Sequence, residues 1–319
     1  MLGRLLPDRF ILWLLGALAL GVVLPVRGGA ALLLDRLTLA AIFALFFLHG
    51  VRLPREALKA GLTDWRLHAA ILATTYAVFP AAGLTLAAAL PSLLPAELWA
   101  GMLFLCALPS TVQSSIAYTA MARGNVAGAV AAAAFSNLLG VFLTPLLVAA
   151  MLGAQGTSVS AGGVGKIVLL LFLPFLLGHA LRPWLRRPVE ARPGLTRLVD
   201  KGTILLAVYG AFSAATVEGV WSRLAPAETA TLVLLCAALL ALVLAASWAA
   251  GRRLPRESRA ALLFCGSVKS LASGAPMARI LFPGAAAGLV ILPVMIFHTI
   301  QLIVCAWIAA QMGARADEP

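Results

Sequence analysis

Two stretches decide the fold. The first reads Leu103-Phe104-Leu105-Cys106-Ala107-Leu108-Pro109-Ser110-Thr111-Val112-Gln113-Ser114-Ser115, and the second reads Phe264-Cys265-Gly266-Ser267-Val268-Lys269-Ser270-Leu271-Ala272-Ser273-Gly274-Ala275-Pro276. Each opens as an apolar helix and then meets a Ser-rich segment with Pro or Gly at its middle. Pro removes a backbone donor and clashes with the preceding turn, and Gly accepts backbone that other residues resist. Such a segment opens a helix and bares carbonyls and amides. Small polar residues also serve close helix packing or bond back to their own helix, and for any single serine that is the commoner role. Two interruptions at matching places are a stronger sign, because paired broken helices mark the binding site of many secondary transporters.

The surrounding sequence places both stretches in a membrane. The chain has 319 residues, 62% hydrophobic and 11% charged, with a mean hydropathy of +1.01. A soluble domain carries about 25% charged residues. The apolar residues come in continuous Leu, Ala and Val runs of the length needed to cross a bilayer as helix, about 18 residues or more, without the alternation of a barrel. Ten spans are expected, at 10–26, 37–51, 69–90, 99–122, 126–151, 166–182, 202–218, 229–250, 260–281 and 287–312, the second open to extension back toward Leu32. The segment Phe10–Val26 reads as a retained first helix, with charge on both sides and no small-residue cleavage site. The longest loop, about 182–201, reads as a short polar linker.

The net charge of +12 does not point to nucleic acid, because the basic residues lie in short loops. One set of loops carries 18 of them, from Arg4 and Arg9 through Arg52, Arg55, Lys59, Arg66 and the Arg182–Lys201 group to Arg315. The opposite set carries 5: Arg27, Arg36, Lys166, Arg223 and Arg279. The positive-inside rule then puts both termini in the cytoplasm of a bacterial-type inner membrane. Cys106, Cys236, Cys265 and Cys305 all fall in apolar runs, with no disulfide or metal-site spacing, and read as small buried hydrophobes.

Ten spans divide into five and five. An odd number per half inserts the second half upside down, so the expected architecture is two inverted five-helix repeats, 1–160 and 161–319. Leu103–Cys106 sets against Leu262–Cys265, and ungapped continuation puts Ser114 on Ser273. Phe135-Ser136-Asn137 sets against Phe297-His298-Thr299.

Lys269 is the one formal charge expected at mid-membrane, since all twelve acidic residues read as loop, tail or span-end positions. A charge there costs about 3 kcal/mol or more and marks function by default. Snorkelling to an interface is the alternative, made harder by a place some ten residues into the span. Its expected companions are hydroxyls, backbone carbonyls and an anionic substrate; a lysine held from water is also a candidate proton carrier. The expected site comprises Ser110, Thr111, Gln113, Ser114, Ser115, Asn137, Ser267, Lys269, Ser270, Ser273, His298 and Gln301. His49 and His179 read as interfacial.

At these residues the chain resembles the bile acid:sodium symporter superfamily. Tyr118-Thr119-Ala120-Met121-Ala122-Arg123-Gly124-Asn125-Val126-Ala127 is similar to that family's stretch after its first broken helix, and Leu143-Thr144-Pro145 matches as well. The two interrupted stretches look like a divergent branch, which holds bacterial proteins of unassigned substrate and the seventh vertebrate bile-acid carrier. The resemblance implies an all-α membrane protein of ten helices. Its core domain would hold spans 3–5 and 8–10, with spans 4 and 9 broken and crossing, and its panel domain spans 1, 2, 6 and 7. Sodium-coupled members use an acidic residue and a Gln in the ninth span; the aligned positions here are Ser267 and Leu271. Lys269 stands where they have glycine, and Ala129 and Ala133 stand where they have hydroxyls. The implied function is a secondary transporter of a small organic anion working by alternating access, with sodium or a proton as coupling ion and no cofactor. Lys269 would supply in place the charge that sodium supplies elsewhere. The competing reading is a carrier-fold membrane protein that regulates ion or envelope homeostasis with little flux of its own. An enzyme is poorly supported, because no span holds an acid, a metal-ligand cluster or a nucleophile–base pair. Substrate identity and oligomeric state are not legible.

Overall fold

The computed structural model describes residues 9–52, 64–154, 161–219, 221, 224–282, 284 and 286–314. Among them every regular element is helical. In chain order these are α1 (Arg9–Val23), α2 (Gly28–Arg52), α3 (Trp65–Ala89), α4 (Ala96–Ala107), α5 (Gln113–Met121), α6 (Val126–Ala154), α7 (Ala161–Glu190), α8 (Pro193–Val217), α9 (Pro226–Ala250), α10 (Arg256–Gly266), α11 (Leu271–Leu281) and α12 (Ala286–Ala314). Six of these, α2, α3, α6, α8, α9 and α12, are long and apolar enough to cross a membrane. Large side chains such as Trp13, Leu33, Leu234, Ile303 and Trp307 point outward. Water would not tolerate so much exposed apolar surface, whereas lipid matches it. The chain is a multi-pass membrane protein. Of the topology-setting residues, Arg4, Arg55, Lys59, Arg223 and Arg315 lie outside the described residues.

Helix boundaries depart from the sequence reading where polarity hides helix. The second span begins at Gly28, so Asp35 lies inside α2 rather than in a loop. The expected 182–201 linker is mostly helix: α7 runs to Glu190, and α8 starts at Pro193. Hydropathy marks the length immersed in lipid and says nothing of helix continuing beyond it. Arg186 pairs with Glu190 one turn on, and Pro193 sits in the first turn of α8, where its missing N–H has no cost.

The chain divides into two compact units. One comprises Met1–Arg52, Leu169–Ala225 and Ala275–Ile291. Its α1 and α2 pack on α8, and Leu14, Ile42, Phe46, Val208 and Phe212 of these helices are buried. Gly50 of α2 and Gly178 of α7 bring two backbones together: a Cβ at Gly50 would overlap the Phe175 carbonyl oxygen, and one at Gly178 that of Phe47. Only hydrogen fits there, the small-residue contact by which membrane helices approach.

The other unit comprises Leu53–Val168, Pro226–Gly274 and Leu292–Pro319. A buried cluster of Leu67, Ile71, Ala129, Ala132, Ala261, Leu262 and Cys265 joins α3, α6 and α10. Alanines along α6 let the interrupted helices sit close to it. The helical runs are interrupted at 108–112, between α4 and α5, and at 267–270, between α10 and α11.

Candidate functional site

The two breaks meet inside the second unit, where the Ser270 amide donates to the Pro109 carbonyl at 2.9 Å. Every non-helical backbone group so deep in the protein needs a partner, and side chains from the breaks and from α6 and α12 supply several of them. Ser110 is fully buried, and its hydroxyl donates to the Cys265 carbonyl at 2.6 Å. Its own amide donates to the Ser136 hydroxyl at 3.1 Å, and its carbonyl accepts from Asn137 Nδ2 at 2.8 Å. Lys269 repeats this arrangement in the other break. Its ammonium donates to the Cys106 carbonyl at 2.9 Å, its amide donates to Gln301 Oε1 at 2.8 Å, and its carbonyl accepts from Gln301 Nε2 at 2.9 Å.

The Lys269 side chain is only 1% exposed. Besides Cys106, Nζ reaches the carbonyls of Leu108 at 2.6 Å and Thr75 at 2.8 Å. Three acceptors call for three N–H donors, which an ammonium has and a neutral amine lacks. The Phe79 ring centroid lies 4.1 Å away, offering the negative face that aromatic rings present to cations. Of the companions expected for Lys269, the carbonyls are present and they use all three of its donors. In this conformation the ammonium holds helices together and has no N–H left for an anion.

The Thr75 carbonyl is available for a reason written in the sequence. Residues Thr74–Val78 form a π turn, in which each N–H reaches back five residues; that of Phe79 bonds the Thr74 carbonyl. The next donor in the series would be residue 80, which is Pro80 and has no N–H. The Thr75 carbonyl is thus left for Lys269. Sequence reading missed Thr75, Cys106 and Leu108 because every residue has a carbonyl, and it set Ser136 against His298 in the repeat but left it outside the expected site. Pro80 was the available signal.

The other expected residues divide. Ser273 donates to Asn137 Oδ1 at 2.9 Å, and Ser270 bonds Ser273 at 3.3 Å, which ties α11 to α6. His298 Nδ1 lies 2.8 Å from Gln301 Nε2. Because that nitrogen also donates to the Lys269 carbonyl, the Gln301 amide connects His298 to the break. Thr111, Ser114 and Ser115 bond within the start of α5: Thr111 Oγ1 to Ser114 at 2.5 Å, and Ser115 Oγ to the Thr111 carbonyl at 2.5 Å. Ser267 turns away to Ser247 of α9, and Gln113 is exposed. Two hydrogen-bonded groups result, Ser110–Asn137–Ser273–Ser270 and Lys269–Gln301–His298, and they adjoin at the Lys269–Ser270 peptide. Among the described residues no three His, Cys, Asp or Glu side chains converge as a metal site would require.

A pair of interrupted helices meeting in the interior of a multi-pass α-helical protein is the architecture of a transporter, and comparison with known families agrees. The chain belongs to the SBF-like CPA transporter family, which it matches over residues 8–314. It is 48% identical to the Pseudomonas aeruginosa protein PA2026 across 99% of this chain and 96% of that one. It is 44% identical to the Escherichia coli (strain K12) protein named "Putative symporter YfeH", covering 98% of this chain and 94% of that one. Sodium/bile acid cotransporter 7 of Danio rerio is 25% identical across 95% of this chain and 93% of its own length. These relatives agree with the divergent bacterial branch that the motifs suggested.

Proposed function

We propose that this protein is a secondary carrier that moves a small organic anion across a bacterial inner membrane by alternating access, without a bound sodium ion. Both termini are cytoplasmic in this reading. Its frame is two inverted five-helix repeats, 1–160 and 161–319, with spans 1, 2, 6 and 7 forming a panel and spans 3–5 and 8–10 a core.

One observation carries the proposal, the reciprocal bonding of the two breaks. Offsetting the halves by the register that puts Cys106 on Cys265 also puts Ser110 on Lys269. Ser110 bonds the Cys265 carbonyl, and Lys269 bonds the Cys106 carbonyl. Each break residue is then held at both N–H and C=O by the last helix of its half. Repeats with a shared ancestor would bond in this way, and unrelated helices have no reason to. The division of the chain into two units supports separate bodies that could rock in alternating access.

The anion is supported by charge. The half-helices α5 and α11 begin directly after the breaks, and helix N-termini carry partial positive charge. The Lys269 ammonium adds a full one, with no carboxylate among its partners. The same residue argues against sodium. A sodium ion needs several oxygens, and the converging carbonyls here already hold an ammonium. Of the two named relatives, the sodium/bile acid cotransporter carries an organic anion and sodium in its name and the symporter names neither; only the solute class is carried over to this chain.

Flux of labelled organic anions into proteoliposomes, in sodium buffer and in choline buffer, tests this. Uptake equal in both is expected. Uptake that collapses without sodium refutes the tethered-cation reading, and absence of flux for every anion class tested favours the regulatory alternative.

A further inference from the structure

A second cation lies away from the crossing, in the first unit. Arg279, near the end of α11, lines a cavity of about 300 Å³ with Asp35, Thr38, Leu39, Ile42, Ile280 and Gly284. That volume is at the lower end of small-molecule sites. Its walls are largely aliphatic. The Thr38 hydroxyl already donates to the Leu34 carbonyl, so the guanidinium is the main donor facing the space.

The Arg279 side chain is 10% exposed, while its partner Asp35 is 56% exposed. The pair is made through one nitrogen, Nη2, and one oxygen, Oδ1. Nη1 is buried and has no hydrogen-bond partner among the described residues. An arginine fork is built to hold two oxygens at once, and here half of it is idle. A buried donor without an acceptor is costly, and an ion pair with one partner in water contributes little. An entering carboxylate or sulfonate that took both nitrogens would satisfy the idle donor. Asp35, already half in water, would turn outward.

We propose that this cavity docks an amphipathic organic anion, with its head group forked on Arg279 in place of Asp35 and its hydrocarbon body along Leu39, Ile42 and Ile280. The proposal deepens the carrier reading, since it names a second place for the solute now that Lys269 has no free donor. On the loop-charge topology the cavity lies on the non-cytoplasmic side. Glu218, whose carboxylate sits beside Gly284, disfavours anions carrying more than one charge.

The test uses the full chain in nanodiscs, with hexanoate as probe and hexanamide as its neutral match, read by the shift of the unfolding midpoint with concentration. Hexanoate should stabilise saturably and hexanamide should not. Arg279→Gln should weaken hexanoate at least tenfold, and Asp35→Asn should tighten it severalfold by removing the competitor. If the pair only holds two helices, the two variants move together. Weakening by Asp35→Asn, equal effects of hexanoate and hexanamide, or unchanged hexanoate binding in Arg279→Gln overturns the site. Should Arg279→Gln fail to fold, the sign of the Asp35→Asn effect decides alone. Hexanoate flux without Arg279-dependent binding would remove this cavity and leave the carrier; Arg279-dependent binding without flux of any anion would do the reverse.

Discussion

Replacing Lys269 by Met keeps an unbranched stem and removes the ammonium. Three carbonyl oxygens, those of Thr75, Cys106 and Leu108, lose a donor at 2.6–2.9 Å, and the Phe79 ring loses its cation. A buried acceptor stripped of its partner costs about 1–3 kcal/mol. Against this, the variant no longer buries a charge, a penalty of several kcal/mol for an ion in a protein interior. One stranded carbonyl would be outweighed by that relief. Three carbonyls and a ring contact are not, so the expected net loss is about 2–4 kcal/mol. Lys269→Arg should also destabilise, because a planar fork cannot aim at carbonyls converging on one nitrogen. The protein carries its own reporter: Cys106, Cys236, Cys265 and Cys305 are all free and buried, and the first and third flank the crossing. Thermal unfolding followed with a thiol-reactive dye should show a lowered midpoint, and Cys106 and Cys265 should label faster below it. In Lys269→Ala, methylammonium should slow that labelling by refilling the cage. A Lys269→Met protein with wild-type midpoint and wild-type labelling would refute the view that this ammonium holds the breaks together.

Other consequences follow from the same contacts. Pro80→Ala restores an N–H that competes with Lys269 for the Thr75 carbonyl; removing a helix-interior Pro ordinarily stabilises, but here the unfolding midpoint should stay level or fall. Gln301→Ala strips the Lys269 amide and carbonyl together and should cost about 2–4 kcal/mol in thermal unfolding. Gln301→Glu, which keeps the acceptor alone, should cost less at the amide yet set an oxygen against the Lys269 carbonyl, so full rescue would contradict the assignment. Gly50→Ala and Gly178→Ala should each cost about 1–3 kcal/mol or more by overpacking. Because either one pushes α2 and α7 apart, the double variant should lose little beyond the worse single, and additive losses would show that the two sites are independent.

The membrane class, the helices and both interruptions were legible because lipid imposes a length of apolar sequence and because Pro, Gly and Ser mark where a helix opens. Lys269 was legible for a related reason, a charge where none is tolerated idly. What it touches was not. Its partners are backbone carbonyls, which sequence does not distinguish, and one of them is free only through a π turn that side-chain periodicity cannot reveal. Asp35 read as a loop residue because polarity at a span end resembles a turn, and its place inside α2 is what brings it to Arg279. The Gly50–Gly178 approach was equally hidden, since 28 glycines are present and only the fold tells which two are pressed against a neighbour.

The two breaks solve one backbone problem with different chemistry. At Ser110 a hydroxyl supplies a single donor, to the Cys265 carbonyl. At the matching Lys269 the corresponding Cys106 carbonyl shares its donor with those of Thr75 and Leu108. With serine in both places, three carbonyls would converge around a point with too few donors, an arrangement suited to a small cation. Lysine fills that point with a cation bound to the chain. On the carrier reading proposed above, no ion needs to load at this point before it is positively charged, and no ion gradient is drawn on through it, since this charge returns with the protein in every cycle. On that reading, uphill transport draws on another source, such as the membrane potential acting on the solute's own charge, a proton moving with it, or exchange for a second solute.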